Sequence, residues 1–169
     1  MDVQETLTTR NKSFAADTFA RGLRMMPVLK TIVIGCVDPR VDPELVLGAA
    51  LGEIAVIRNV GGRVTPGVLD ELAMLRSVTQ AAGADLGAGW QLIVMQHTNC
   101  GITRIADDTP ALAAYFGVAE DDVADTHVAD PRAAVARDME LLKAETRLGA
   151  GIAVSGMVYD VETGLVETV

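Results

Sequence analysis

The chain has 169 residues, of which 50% are hydrophobic and 22% charged, and its formal net charge is −9 at pH 7. This length predicts a single domain over residues 1–169, and the composition is that of a globular chain rather than a disordered one. The acidity argues against nucleic acid or an anionic membrane as a partner, because no basic stripe is present to neutralise phosphates. No apolar run approaches the roughly 20 residues of a membrane span.

The first residues are polar and do not have the pattern of a cleavable leader, so the expected location is the cytoplasm. The chain has two cysteines, Cys36 and Cys100. In a reducing compartment these are expected to be free thiols or metal ligands rather than a disulfide.

The predicted elements alternate between helices and apolar strands. The first is an amphipathic helix over 11–26 with Phe14, Phe19, Leu23 and Met26 on one face, followed by a buried strand over 28–36 and a helical turn at Pro43. A second buried strand over 53–60 precedes a helix that begins after Thr65 and Pro66, and a strand over 90–97 follows. The last elements are helices over 110–116 and 131–146, a strand over 151–160 and its hairpin partner over 164–169. This order predicts an α/β fold, a mostly parallel central sheet flanked by helices with a C-terminal hairpin at the sheet edge. Ligands of such sheets bind beyond the carboxyl ends of the strands.

Polar residues follow Cys36 at the end of the first predicted strand. In an extended chain Cys36, Asp38 and Arg40 point to one side, and Pro39 disfavours a helical conformation at Asp38. Arg40 is close enough to pair with Asp38 through its planar guanidinium. The alternative is an Asp-Pro turn after a strand whose terminal cysteine is a small core residue.

A second motif, His97 and Cys100 in "QHTNCG", follows the third predicted strand. Their spacing allows one turn of chain to direct both side chains at one ion, and Thr98 and Asn99 predict the start of a helix. The alternative is a histidine bonded to backbone beside a buried cysteine.

Both motifs end strands at the same edge of the predicted sheet, which strengthens the metal interpretation. Two thiolates and one imidazole, from Cys36, Cys100 and His97, suit Zn²⁺. Three protein ligands leave a fourth position for water, as in catalytic zinc sites. The sequence therefore predicts one Zn²⁺ per chain.

The motif "CVDPR" followed by "HTNC" resembles the C-x-D-x-R and H-x-x-C pair of the β-class carbonic anhydrases. The segment "IRNVGG" between them is similar to the family's R-N-x-G segment. The resemblance covers residues 28–105, and the short chain is similar to the compact, archaeal-like branch. Gln96 stands where many members have glycine, and we expect it to alter packing rather than ligation.

The resemblance implies a carbonate dehydratase, which hydrates CO2 reversibly to bicarbonate and a proton with hydroxide supplied by zinc. It implies that Asp38 accepts a hydrogen bond from that hydroxide while Arg40 holds Asp38 off the metal. In a closed state Asp38 would become the fourth ligand. It also implies a homodimer or higher homo-oligomer in which the N-terminal helix packs on a partner subunit.

Several weaker assignments complete the predicted site. Gly61 and Gly62 are expected to let backbone approach the substrate pocket closely, and Arg58 and Asn59 to stabilise the strand end and its loop. His127, in the acidic stretch, is either an exposed surface residue or a proton shuttle.

Other functions use the same residues. The compact branch also includes carbonyl sulfide and carbon disulfide hydrolases with the same zinc ligands. A different class is a catalytically idle, zinc-stabilised binding or assembly protein. That class would be expected to have lost Asp38, Arg40 or a ligand, and all five residues are present.

Overall fold

The computed structural model describes residues 2–169, which form a five-stranded sheet with flanking helices. The strands are β1 (Thr31–Cys36), β2 (Ala55–Asn59), β3 (Gln91–His97), β4 (Ala153–Tyr159) and β5 (Val166–Thr168), and the helices are α1 (Val3–Asp17), α2 (Pro43–Val46), α3 (Pro66–Ala81), α4 (Thr109–Phe116) and α5 (Pro131–Ala144). The order of the strands in the sheet is β2-β1-β3-β4-β5; β1 to β4 are parallel and β5 is antiparallel to β4. The α/β prediction is thus confirmed, including the C-terminal hairpin at the sheet edge.

Side-chain caps explain where four of the helices begin. In each, the preceding side chain accepts a hydrogen bond from a backbone amide of the first turn, and a proline occupies one of the first two helical positions. Proline is favoured there because its missing amide would have no partner in the helix. The capping residues are Asp42, Thr65, Asp108 and Asp130.

The two faces of the sheet are covered unequally. Helices α3 and α5 pack on one face through residues such as Leu72 and Leu142, while the opposite face meets α2 and the segment after it. Strand β1 is buried throughout, but all five residues of β2 are only partly buried. The second predicted strand is therefore less buried than expected, because β2 lies at the edge of the sheet.

The predicted N-terminal helix over 11–26 was also wrong in its bounds. Helix α1 begins after Asp2, whose side chain accepts a hydrogen bond from Gln4, and ends at Asp17. The Phe14 and Phe19 rings still contact each other edge to face, with centroids 6.3 Å apart, although Phe19 lies beyond the helix. No residue of α1 is buried. Among residues 2–169, no helix combines the length and apolarity of a membrane span.

A third apolar cluster lies beyond the carboxyl ends of β1 and β3. It joins Cys36 and Cys100 to Ile102, to Phe116 of α4 and to Val123. Two 3-10 helices, Gly101–Ile105 and Glu120–Thr126, belong to this region. This part of the fold surrounds the predicted site.

Candidate metal centre

The ends of two neighbouring strands bring three potential metal ligands together. Cys36 and His97 are the last residues of the parallel strands β1 and β3, and Cys100 follows three residues after His97. Their ligand atoms lie within 4.8 Å of one another, and all three residues are buried. The Cys36 and Cys100 sulfurs are 3.8 Å apart. This group could hold one metal ion.

The surroundings of the His97 ring also fit a metal. Nδ1 lies 2.9 Å from the Thr98 carbonyl oxygen, to which it donates when it carries the ring proton. That tautomer leaves the Nε2 lone pair free for a metal. Nε2 is buried and has no hydrogen-bond partner within residues 2–169. A buried nitrogen without a partner is costly, and a cation held with the two sulfurs would satisfy it.

The two thiols differ in acidity because they share a hydrogen bond. The bond from Cys100 is the main reason that the pKa of Cys36 lies well below its usual value, and the Asp38 amide, 3.4 Å from the sulfur, acts in the same direction. The same bond, together with burial, raises the pKa of Cys100. The two sulfurs therefore share one proton. A metal cation could displace this proton, because cysteines bind metals in their deprotonated form.

Asp38 and Arg40 form a bidentate ion pair next to this group. Arg40 donates from Nε to Oδ1 at 3.0 Å and from Nη2 to Oδ2 at 2.6 Å, and its backbone amide donates to Oδ1. The side-chain hydrogen bonds from Arg40 lower the pKa of Asp38 to about 2. Arg40 Nη2 also donates to the Asn99 carbonyl at 3.0 Å, which joins the segment after Cys36 to the segment before Cys100.

Arg58 fixes the segment that follows Cys36. Its guanidinium donates to the carbonyl oxygens of Cys36 and Asp38, each at 2.8 Å, and to the Asp42 carboxylate at 2.7 Å. The side chain of Asn59 bonds both the amide and the carbonyl of Arg63. The predicted roles of Arg58 and Asn59 in holding the strand end and its loop agree with these contacts.

Gly61 and Gly62 belong to the glycine loop (residues 60–63), which packs against the end of β1. Both have positive φ, +81° and +62°. A Cβ on Gly62 would lie 2.7 Å from the Cys36 nitrogen, and a Cβ on Gly61 would lie 2.9 Å from Ile102 Cδ1. The backbone at Gly62 thus approaches Cys36 closely. The contact of both glycines with substrate stays a prediction.

A helix begins close to the expected point, but the expected capping by Thr98 and Asn99 was wrong. The segment that follows is a 3-10 helix, Gly101–Ile105, and it has no side-chain cap. Thr98 Oγ1 instead accepts a hydrogen bond from Val161 N at 3.1 Å and donates to Asp160. Asn99 adopts a left-handed conformation, with φ +51°. The conformation of this turn is therefore determined by hydrogen bonds to the residues that follow β4 rather than by helix capping.

His127 lies apart from the three potential ligands. It is exposed, adopts a left-handed conformation at the end of Glu120–Thr126, and lines a cavity of about 470 Å³ whose walls include none of Cys36, His97 or Cys100. This position agrees with the surface interpretation of His127.

Sequence reasoning missed Arg63 and Asp138 near the glycine loop, and it gave Gln96 only a role in packing. Gln96 is buried and donates from Nε2 to the Gly62 carbonyl at 2.7 Å. Arg63 forms a buried ion pair with Asp138, which lies 75 residues further along the chain. The available signal was weak, because a single arginine after two glycines and an aspartate next to an arginine in a helix resemble ordinary surface positions.

Comparisons with known proteins agree with this geometry. Residues 31–115, half of the chain, match the family model described as carbonic anhydrase. Beta-carbonic anhydrase 1 of Mycobacterium tuberculosis is 32% identical over 108 residues, covering 64% of this chain but 61% of that relative, which is less than two thirds of its length. The crystal structure of carbonic anhydrase from Streptococcus mutans superposes with a TM-score of 0.76 at 27% identity, covering 100% of this chain and 98% of the other. Carbon disulfide hydrolase of Acidianus sp. is 26% identical over 156 residues, covering 78% of this chain and 72% of that relative.

Proposed function

The chain belongs to the β-carbonic anhydrase family, and we propose that it is a carbonate dehydratase that catalyses the zinc-dependent, reversible hydration of CO2 to bicarbonate and a proton. The observation that carries the proposal is the buried, unpartnered Nε2 of His97 close to two cysteine sulfurs, with an intact Asp38–Arg40 pair beside them.

Cys36, His97 and Cys100 would hold one Zn²⁺ per chain. Thiolates and a neutral imidazole suit this ion, and three protein ligands leave a fourth position for water. Zinc held by these three residues would lower the pKa of a water bound in the fourth position and so would supply hydroxide. The two thiolates would cancel the charge of the ion, so the pKa of the bound water would be lowered less than in a site with three neutral ligands. We therefore expect activity to increase toward alkaline pH.

Asp38 and Arg40 would orient the reacting oxygen. With a pKa of about 2, Asp38 is an anion at neutral pH and can accept a hydrogen bond but takes up a proton poorly. Arg40 binds both carboxylate oxygens and so fixes the direction in which Asp38 accepts. We propose that this paired arrangement is the open, resting state, and that Asp38 would ligate the metal only after this pair breaks.

Hydrolysis of carbonyl sulfide or carbon disulfide is the second candidate function. The similarity to the Acidianus carbon disulfide hydrolase favours it. The same predicted ligands would serve either substrate, so the difference has to be measured as a ratio of rates.

The proposed assembly is a homodimer or a higher homo-oligomer. Helix α1 has no buried residue, and Leu7, Phe14 and Phe19 are among the exposed apolar side chains in and just after it. We propose that α1 packs on a partner subunit and buries these side chains. Single-domain organisation, cytoplasmic location and membership of the archaeal-like branch stay predictions.

Stopped-flow CO2 hydration by purified protein of known metal content tests the function, at about pH 7 and about pH 8.5. Zinc with CO2 turnover that increases with pH supports the proposal. Turnover of carbonyl sulfide or carbon disulfide without CO2 turnover supports the second candidate. Zinc without turnover of any of the three would indicate an idle, zinc-stabilised protein.

Arg40→Ala tests the orienting pair. We expect zinc content to stay at one per chain and CO2 turnover to fall about 10- to 100-fold, the usual effect of losing a residue that orients a metal site. Arg76→Ala is the matched control, because Arg76 forms a similar bidentate pair with Asp85 away from the metal centre. Wild-type turnover in Arg40→Ala would refute the role of the pair.

A further inference from the structure

Arg63 and Asp138 form an ion pair that is almost completely removed from solvent. Arg63 is 1% exposed and Asp138 is 0% exposed. Arg63 donates from Nε to Oδ2 at 2.8 Å and from Nη2 to Oδ1 at 3.0 Å, and Nη2 also donates to the Thr126 carbonyl at 2.7 Å. The guanidinium lies 4.7 Å from the centre of the Phe116 ring. The pair therefore connects the glycine loop to α5 and α4.

Asp138 holds the backbone next to the glycine loop as well as the side chain of Arg63. The Val64 amide donates to Asp138 Oδ2 at 2.9 Å, directly after the loop ends. Asn59 bonds the Arg63 amide and carbonyl, and Gln96 bonds the Gly62 carbonyl. The backbone of the glycine loop is thus held at Gly62, at Arg63 and directly after Arg63.

The held loop packs directly on the predicted metal ligands. Gly62 approaches the Cys36 nitrogen too closely for a side chain, and Gly61 contacts Ile102, two residues after Cys100. A shift of the loop would therefore change the position of one cysteine and the packing beside the other.

Stability alone does not explain this ion pair. Two buried charges lose their hydration, and apolar residues of similar volume are often at least as stable in their place. Arg63 Nη1 has no hydrogen-bond partner within residues 2–169, so the pair is not fully satisfied either. Because the stability of the fold does not require this ion pair, we look for its role in holding the glycine loop in place.

We propose that Arg63 and Asp138 are positioning residues for the metal centre, which lock the glycine loop against Cys36 and thereby set the geometry of the cysteine ligands. This inference rests on the proposed zinc function. It assigns a role in metal binding to an ion pair that does not itself contact the predicted ligands.

The double variant Arg63→Met/Asp138→Asn tests the inference. It removes both fully buried charges, and the amide at position 138 can still accept from the Val64 amide. Arg137 Nη1, which lies 3.4 Å from Asp138 Oδ1 and is 20% exposed, loses its anion in this variant. We expect a folded protein whose zinc affinity, measured by competition with a chromogenic chelator, falls about 10-fold or more. The thiolate-to-metal absorption band of the cobalt-substituted protein should also change. Arg76→Met/Asp85→Asn is the matched control and should retain wild-type zinc affinity.

Gln96→Met provides a second route if the double variant does not fold. It leaves the ion pair intact and removes a different contact to the same loop, so zinc affinity should again decrease. Wild-type zinc affinity in a folded double variant, or in Gln96→Met where the double variant cannot be obtained, would overturn the inference. Wild-type protein that binds no zinc would instead refute the proposed function.

Discussion

Replacing Gly62 with alanine tests how closely the glycine loop packs against β1. Gly62 has a φ of +62°, and its Cβ would lie 2.7 Å from the Cys36 nitrogen, 2.8 Å from the Gly35 carbonyl carbon and 3.1 Å from the Met95 oxygen. These neighbours are backbone atoms of two adjacent strands, which cannot rotate away as the end of a side chain could. In Gly62→Ala, either the loop or the end of β1 must therefore move.

Gly48→Ala is a matched control, because Gly48 has a φ of +66° and its Cβ would meet no atom within 4 Å. Left-handed strain costs about 1–2 kcal/mol in either variant. Overpacking adds about 1–3 kcal/mol at Gly62 only. We therefore expect the free energy of unfolding to fall by about 2–5 kcal/mol in Gly62→Ala and by about 1–2 kcal/mol in Gly48→Ala.

Equilibrium urea unfolding of both variants, with and without zinc, measures this difference. Because the overlap is with Cys36, zinc should stabilise Gly62→Ala less than it stabilises the wild type, while Gly48→Ala should respond normally. Equal losses of stability in the two variants, with equal responses to zinc, would refute the close approach.

Two further predictions concern buried or half-buried groups. Asp138→Asn alone leaves the Arg63 guanidinium buried without its anion and should destabilise the protein by about 3–5 kcal/mol in urea unfolding; an effect as small as that of the exposed Asp85→Asn would contradict the burial of the pair. Tyr115 has a pKa raised to about 12, chiefly by burial. In the unfolded chain tyrosine ionises near pH 10, and this ionisation stabilises the unfolded state while Tyr115 of the folded protein is still neutral. The free energy of unfolding should therefore fall as pH increases from about 10 to about 12. Tyr115→Phe should reduce this slope, and an unchanged slope would show that other groups cause it.

The sheet could be predicted because local pattern and tertiary structure agree in it. Continuous runs of β-branched residues marked the central strands, and Thr65 with Pro66 marked the start of α3. The juxtaposition of the cysteines with His97 also followed from topology, since the carboxyl ends of parallel strands meet at one edge. The ligand roles themselves stay predictions.

The rest depended on contacts that local pattern does not contain. Phe14 and Phe19 suggested one helical face, yet the helix ends at Asp17 and the rings meet across its end. The partial burial of β2 follows from its place at the sheet edge rather than from its apolar sequence. Arg63 and Asp138 are joined only by the folded chain, and no local spacing marks either of them.

The burial of the predicted ligands has a kinetic consequence. Cys36, His97 and Cys100 are 4%, 2% and 5% exposed, and the two cysteines belong to the apolar cluster beyond the strand ends. An ion bound there could leave only when that cluster opens locally. The rate of metal loss would then reach a ceiling as scavenger concentration increases, because protein motion rather than collision sets it. Because dissociation would be slow, the chain would keep its metal while the free metal concentration is low for a short time, whatever the equilibrium affinity.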